Sequence, residues 1–208
     1  MAVTPERIGL FGGSFDPPHL AHLALGRLAL AALALDELRW LPAGVPWQKA
    51  GRQLASATDR TAMLEALLDG EPRCLIDPRE LQRTGPSYTV DTVRELAAEH
   101  PGSTLFLILG QDQYARFDTW RDWPELLQKT TLAVAARAGQ QVTAPSAVAA
   151  LAHQTVCLNL PAMGTSATDI RKRLAAGQPV VALVGDRVAG YIDQHQLYTQ
   201  SEQPDTRH

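Results

Sequence analysis

The stretch Arg7-Ile8-Gly9-Leu10-Phe11-Gly12-Gly13-Ser14-Phe15-Asp16-Pro17-Pro18-His19-Leu20-Ala21-His22 decides how the chain is read. Its first five residues are a short, mostly apolar run closed by two glycines, the pattern of a buried strand. From His19 to Leu35 the chain is rich in Leu and Ala and apolar on nearly every side. That composition predicts a helix covered on more than one flank. The loop between them is not the GxGxxG of a dinucleotide site, and it lacks the Lys-Ser/Thr of a P-loop. Gly12 and Gly13 let the backbone approach a ligand closely, and Pro17-Pro18 imposes an extended entry and a clean helix start. His19 and His22 then fall three apart on one face of the first turn. A helix N-terminus presents unpaired N–H groups and a partial positive charge, which suits phosphate. Two imidazoles at that end add donors, and a bound anion favours their charged forms.

Outward from this junction, apolar runs and helical patterns alternate. Glu37 to Leu41 reads as a second strand, stopped by Pro42, and Ala43 to Ala55 as a loop holding Gly44, Pro46 and Gly51. Thr58 to Leu68 is an amphipathic helix with Met63, Leu64, Leu67 and Leu68 on its apolar side. Arg73 to Ile76 is a strand, Ser87 to Glu99 a helix, and Thr104 to Leu109 the most strand-like run, closed by Gly110. Helices are expected at Pro124 to Gln128, Ala147 to Ala152, Ser166 to Ala176 and Arg187 to His195, with strands at Thr131 to Ala136 and Thr155 to Leu160. The alternation predicts one α/β domain over residues 1–208 with a doubly wound, mostly parallel sheet. Its core spans about 6–198, and residues 199–208 are expected to be a disordered tail.

With 208 residues, 45% hydrophobic and 20% charged, the chain has the composition of a soluble globular protein. Lys and Arg total 19 against 22 Asp and Glu, a net charge of −3. Proteins that wrap nucleic acid need a basic excess, so no nucleic-acid partner is expected, while small anions remain open. Cys74 and Cys157 are the only cysteines, without CxxC spacing, and are expected to be buried free thiols. The run from Leu20 to Leu35 is broken by His22 and Arg27 and falls short of the roughly 20 apolar residues a bilayer span needs. The N-terminal residues lack the charged and apolar regions of a signal peptide, so a cytoplasmic location with no membrane partner is expected. A homo-oligomer is compatible with the composition.

Gly13-Ser14-Phe15-Asp16-Pro17-Pro18-His19-Leu20-Ala21-His22 resembles the signature of the HxGH-type nucleotidyltransferases. That resemblance implies a Rossmann-like nucleotidyltransferase fold, with Gly12, Gly13, Ser14, Phe15, His19 and His22 at ATP. A second segment, Gly164-Thr165-Ser166-Ala167-Thr168-Asp169-Ile170-Arg171, reads on its own as a capped helix start, Ser166 with Asp169 three later. It also matches the family's Ser-x-Thr-x-x-Arg motif, which implies that Ser166, Thr168 and Arg171 hold the β- and γ-phosphates of ATP. An Arg is suited to that by its charged fork.

Further segments resemble the bacterial nicotinate-nucleotide adenylyltransferases: Leu41 to Pro46, Glu80-Leu81, Gly85-Pro86-Ser87-Tyr88-Thr89, Leu109-Gly110-Gln111-Asp112, Phe117-Asp118-Thr119-Trp120, and Tyr191-Ile192 to Leu197-Tyr198. The resemblance implies adenylyl transfer from ATP to nicotinate mononucleotide, giving deamido-NAD and pyrophosphate. It places Gly110 and Asp112 at ATP, and Lys49, Tyr88, Thr89, Trp120 and Arg121 at the mononucleotide. His19, His22 and Arg171 become the catalytic candidates, and Mg²⁺ the expected companion of ATP, with no protein metal site. The sequence departs from the family at Ala43-Gly44, where many relatives carry Asn, and at Trp47-Gln48, where His is common. Arg121 stands where an aromatic is frequent, Ala167 replaces a frequent Ser, and Ala138 a usual Pro. His100, His153, His195 and His208 carry no motif and are read as structural or exposed. Transfer to nicotinamide mononucleotide or phosphopantetheine, or a nucleotide-sensing domain without turnover, are the alternatives.

Overall fold

In the computed structural model, which describes residues 5–44, 54–137, 141–161 and 164–199, strand β1 (Arg7–Gly13) leads through the proline loop into helix α1 (Leu20–Ala32). β2 (Glu37–Pro42), α2 (Ala57–Leu68) and β3 (Cys74–Ile76) follow. Next come α3 (Arg79–Gln82), α4 (Thr89–Glu99), β4 (Thr104–Gly110), α5 (Gln111–Tyr114) and a 3-10 turn at Phe117–Thr119. The remainder is α6 (Trp123–Lys129), β5 (Thr130–Arg137), α7 (Ser146–Ala149), β6 (Thr155–Leu160), α8 (Ala167–Ala175), α9 (Val181–Val184) and α10 (Asp186–Gln194).

The strands form one six-stranded sheet in the order β3-β2-β1-β4-β5-β6. Every neighbouring pair is parallel, so the sheet among the described residues is wholly rather than mostly parallel. The order reverses between β1 and β4, which makes their C-terminal ends the switch point where such sheets bind ligands. Period-two alternation sends strand side chains to two cores. Phe11, Phe106 and Ile108 meet α1, α2 and the C-terminal helices on one face. Ile8, Leu10, Leu105 and Leu107 meet α4, α6 and α7 on the other. Burial on both faces explains why the central strands read as nearly continuous apolar runs.

Helix α1 is held close to the sheet by a missing side chain. A Cβ at Gly26 would lie 2.7 Å from the ring of the fully buried Trp40 on β2. The close approach fixes where the N-terminus of α1, with its histidines, sits over the end of β1. The helix starts one residue later than the composition suggests, because His19 is its extended N-cap, with φ −151° and ψ 168°.

Two expectations need correction. Cys157 is exposed and Cys74 only half-buried. β6 is the outer strand of the sheet, and one of its faces is not covered by a helix, so an apolar run there does not imply burial. No described helix is long and apolar enough to cross a membrane. Of the expected tail, 199–208, all but Thr199 lies outside the described residues.

Candidate active site

A cleft of about 820 Å³ opens at the switch point, floored by the ends of β1 and β4. A Cβ at Gly12 or Gly110 would meet nothing within 4 Å, so these two glycines keep the floor low and open. At Gly13 a Cβ would press on the Phe15 ring at 3.0 Å. The lining also includes Ser14, His19, His22, Tyr88, Thr89, Asp112, Trp120, Arg121 and Ser166. Residues from five separate stretches of sequence therefore meet in one place. Lys49, Trp47, Gln48 and Ala138 lie outside the described residues.

The histidine pair is built into the start of α1. The two rings stack with centroids 3.6 Å apart and planes 19° from parallel. His22 Nδ1 accepts the His19 backbone N–H at 3.2 Å. That bond fixes the neutral tautomer of His22, because an Nδ1 that accepts leaves the ring proton on Nε2, a donor. His19 is buried, and its Nδ1 has no hydrogen-bond partner among the described residues. Burial holds its pKa down at about 4 against an ordinary 6.5. The unliganded pair is therefore not doubly charged at neutral pH. Phe15 lies behind it, 1% exposed, with its ring edge-on to His22 at 5.2 Å. Its side chain props the histidine, and its φ of 46° turns the loop toward the cleft.

The depressed His19 value has a consequence for folding. The unfolded chain takes up a proton near pH 6.5 that the folded chain refuses until about pH 4. Stability from this group is complete above pH 6.5 and is lost as pH falls through that window. In thermal melts between pH 7 and 4, His19→Gln should show a shallower decline in Tm than the parent chain. Parallel declines in the two proteins would refute the assignment.

Across the cleft, α8 begins at Ser166. Its hydroxyl accepts the Asp169 N–H at 3.1 Å and donates to Asp169 Oδ2 at 2.6 Å. The hydroxyl is thus committed to capping, and the backbone N–H groups of Ala167 and Thr168, which no helical carbonyl reaches, are the anion donors at this end. Arg171, one turn on, donates to the Asp16 carbonyl and, at 3.1 Å, to Thr168 Oγ1. Its Nη1 also lies 3.8 Å from Asp16 Oδ2. The two motifs separated in sequence are thereby joined.

The other end of the cleft is aromatic. Trp120 leans on the buried Phe117, centroids 5.2 Å apart, and its buried Nε1 has no partner among the described residues. The Arg121 guanidinium sits over the Tyr88 ring at 4.6 Å. α4 starts at Thr89, two residues later than its periodicity suggests. The Ser87 hydroxyl bonds the Glu80 carbonyl at 2.9 Å, and Tyr88 stays extended. Glu80, buried, accepts from the Thr92 hydroxyl at 2.9 Å, and burial raises its pKa. Gly44 is fixed by the same wall, since a Cβ there would come within 2.2 Å of the Glu80 carbonyl oxygen. The departure from Asn at this point therefore has a packing reason. Asp112 is exposed at the first turn of α5, beside Gly110.

Sequence reading missed Asp16, Arg60 and Tyr198. Asp16 is 1% exposed, with Oδ1 accepting the Tyr198 hydroxyl at 2.7 Å and the Ala55 N–H at 3.1 Å. Arg60, also buried, donates to the carbonyls of Ser14, Ala43 and Ala55. One signal was available: Arg60 falls on the stripe with Met63, Leu64 and Leu67, where a charged residue needs buried partners.

The profile of the cytidylyltransferase-like family matches residues 10–173. A probable nicotinate-nucleotide adenylyltransferase of Methylibium petroleiphilum is 50% identical over 203 residues, 95% of each chain. Its counterpart from Bordetella petrii is 48% identical, covering 93% of this chain and 99% of its own. Among solved structures, the Plasmodium falciparum nicotinic acid mononucleotide adenylyltransferase complexed with NaAD superposes with a TM-score of 0.76 at 18% identity. That match covers 93% of this chain and 97% of the other, and shows the shared fold. With its paired histidines, its switch-point cleft and these relatives, the chain belongs to the cytidylyltransferase-like family and, within it, to the nicotinate-nucleotide adenylyltransferases.

Proposed function

We infer that the chain transfers the adenylyl group of ATP to nicotinate mononucleotide, forming deamido-NAD and pyrophosphate. The observation that carries this is the cleft's division of labour. One end offers two helix N-termini, His19 and His22 to a polyphosphate, with Arg171 beside the lining, bonded to Thr168 and to the Asp16 carbonyl. The other offers Trp120, Tyr88 and Arg121 to a flat acidic ring.

The mononucleotide phosphate already carries an ionised oxygen, so no general base is needed. That oxygen forms a bond to the α-phosphorus of ATP in line, and the bond from the α-phosphorus to the bridging oxygen breaks, releasing pyrophosphate. The protein aligns two anions and stabilises the charge that develops between them. His22 Nε2–H and His19 are the donors nearest the transfer point, and the α8 N-terminus with Arg171 holds the leaving phosphates. Among the described residues no three of His, Cys, Asp and Glu gather as a metal site. Mg²⁺ is the proposed companion of ATP, whose phosphate charge it would screen. Trp120 stacks on the pyridine ring, and the backbone N–H at the start of α4, at Thr89, takes the nicotinate carboxylate.

The test is pyrophosphate release with ATP and Mg²⁺, offering nicotinate mononucleotide, nicotinamide mononucleotide and phosphopantetheine in turn. Release is expected to be fastest with the first and absent with the last. No release with any acceptor would replace this reading with that of a nucleotide sensor. Arg121, a cation at the ring end held over Tyr88, should favour the carboxylate over the neutral amide. Arg121→Ala should lower the acid-to-amide ratio of kcat/KM about five- to tenfold, the worth of a charge-assisted contact at an exposed site. An unchanged ratio would remove Arg121 from the specificity determinants.

A further inference from the structure

The last described residues of the chain return to its first motif. After α10 the backbone reverses: Leu197 N–H reaches back to the Ile192 carbonyl at 3.0 Å, and Gln196 and Tyr198 take φ values of 50° and 63°. The reversal delivers the Tyr198 hydroxyl to Asp16, 182 residues earlier, in the loop that precedes the histidines. Asp16 is a buried carboxyl group that Arg171 faces and that interacts electrostatically with Arg60. Its Oδ1 is filled by two neutral donors, Tyr198 O–H and Ala55 N–H. Its Oδ2 faces Arg171 Nη1 at 3.8 Å, longer than a close charge-assisted bond.

We propose that Tyr198 is a positioning residue for ATP: by occupying Asp16 Oδ1 it keeps the carboxylate from closing on Arg171, so that the guanidinium stays directed to the phosphates. The proposal rests on the reading of Arg171 as a phosphate ligand. A buried carboxylate oxygen that loses a donor finds another, and Arg171 is the cation poised to supply it. Without the phenol hydroxyl, Asp16 rotates and takes Arg171 in a close, forked pair. ATP then competes with an internal anion for the same donors. Tyr198 touches neither substrate in this scheme and acts only through Asp16.

The test is Tyr198→Phe, which keeps the ring and removes one hydroxyl. Tyr191→Phe is the control, because it removes a comparable bond at the same junction, from Tyr191 to Asp59 at 3.0 Å, without touching Asp16. Titration with Mg-ATP alone, by calorimetry, should show binding to Tyr198→Phe weakened about tenfold, as expected for a lost charge-assisted contact. Binding to Tyr191→Phe should match the parent. In turnover, KM for ATP should rise in Tyr198→Phe by a similar factor, with kcat and KM for nicotinate mononucleotide within about twofold of the parent. ATP binding by Tyr198→Phe within about twofold of the parent overturns the proposal, as does equal weakening in both variants, which marks general loosening of the junction. If the parent binds ATP but turns over no acceptor, the proposed activity fails while the titration still decides the role of Tyr198. A parent that binds no ATP overturns both.

Discussion

His22→Ala should lower kcat by about a hundred- to a thousandfold, the usual effect of deleting one preorganised donor to a transition state. The fold should survive, because His22 is only partly buried and the core residues of α1, Leu23, Leu25, Ala29 and Leu30, are all retained. The variant also loses the acceptor of the His19 N–H, a cap interaction worth about 1 kcal/mol, so a modest fall in Tm accompanies the loss of rate. His22→Gln separates the two effects. A Gln at this position of a helix can reach back to the N-cap N–H, as in a capping box, and should restore Tm. Its amide cannot recreate the imidazole's geometry or become cationic, and turnover should remain at least about tenfold below the parent. Near-parental turnover in His22→Ala would sink the assignment of roles.

Arg171→Ala should be as damaging, for a different reason. Arg171 faces the buried Asp16 carboxylate and donates to the Asp16 carbonyl, and on the proposed function it also holds the phosphates. Removing it leaves a buried carboxylate short of a cation, so stability should drop together with kcat/KM for ATP. The kinetic loss should reach about a thousandfold. Arg171→Lys restores the charge but not the planar fork. It should recover most of the Tm, yet remain at least about tenfold slow with ATP, since one ammonium cannot serve Asp16, Thr168 and a phosphate together. If Lys restored kcat/KM in full, the fork would have no role and Arg171 would count as a simple counter-charge.

Much of the architecture was legible because central parallel strands leave a plain mark. β4 falls almost where its apolar run lies, since tertiary burial and local pattern agree there. Of the described helices of four residues, α3, α5 and α9 were not expected, because four residues cannot display a 3.6-residue period, and α7 was expected longer, at Ala147 to Ala152. Cys157 misled because an apolar run does not reveal whether a strand is central or outermost. At the site, the histidine and Ser166 motifs were legible because their spacing is local. Asp16 with Tyr198 was not, because contact between residues so distant in sequence is set by topology. The Ser166–Asp169 cap was legible because its spacing, too, is local, and the structure commits the Ser166 hydroxyl to it.

That commitment bears on how the site can change over generations. On the proposed function, the donors offered to ligand at the starts of α4 and α8 are main-chain N–H groups, which no substitution except proline deletes. An inhibitor that leaned on those two helix ends would leave few routes to resistance by single substitution. One that relied on the exposed Arg121 guanidinium could be escaped by one missense change, at small expense to the fold.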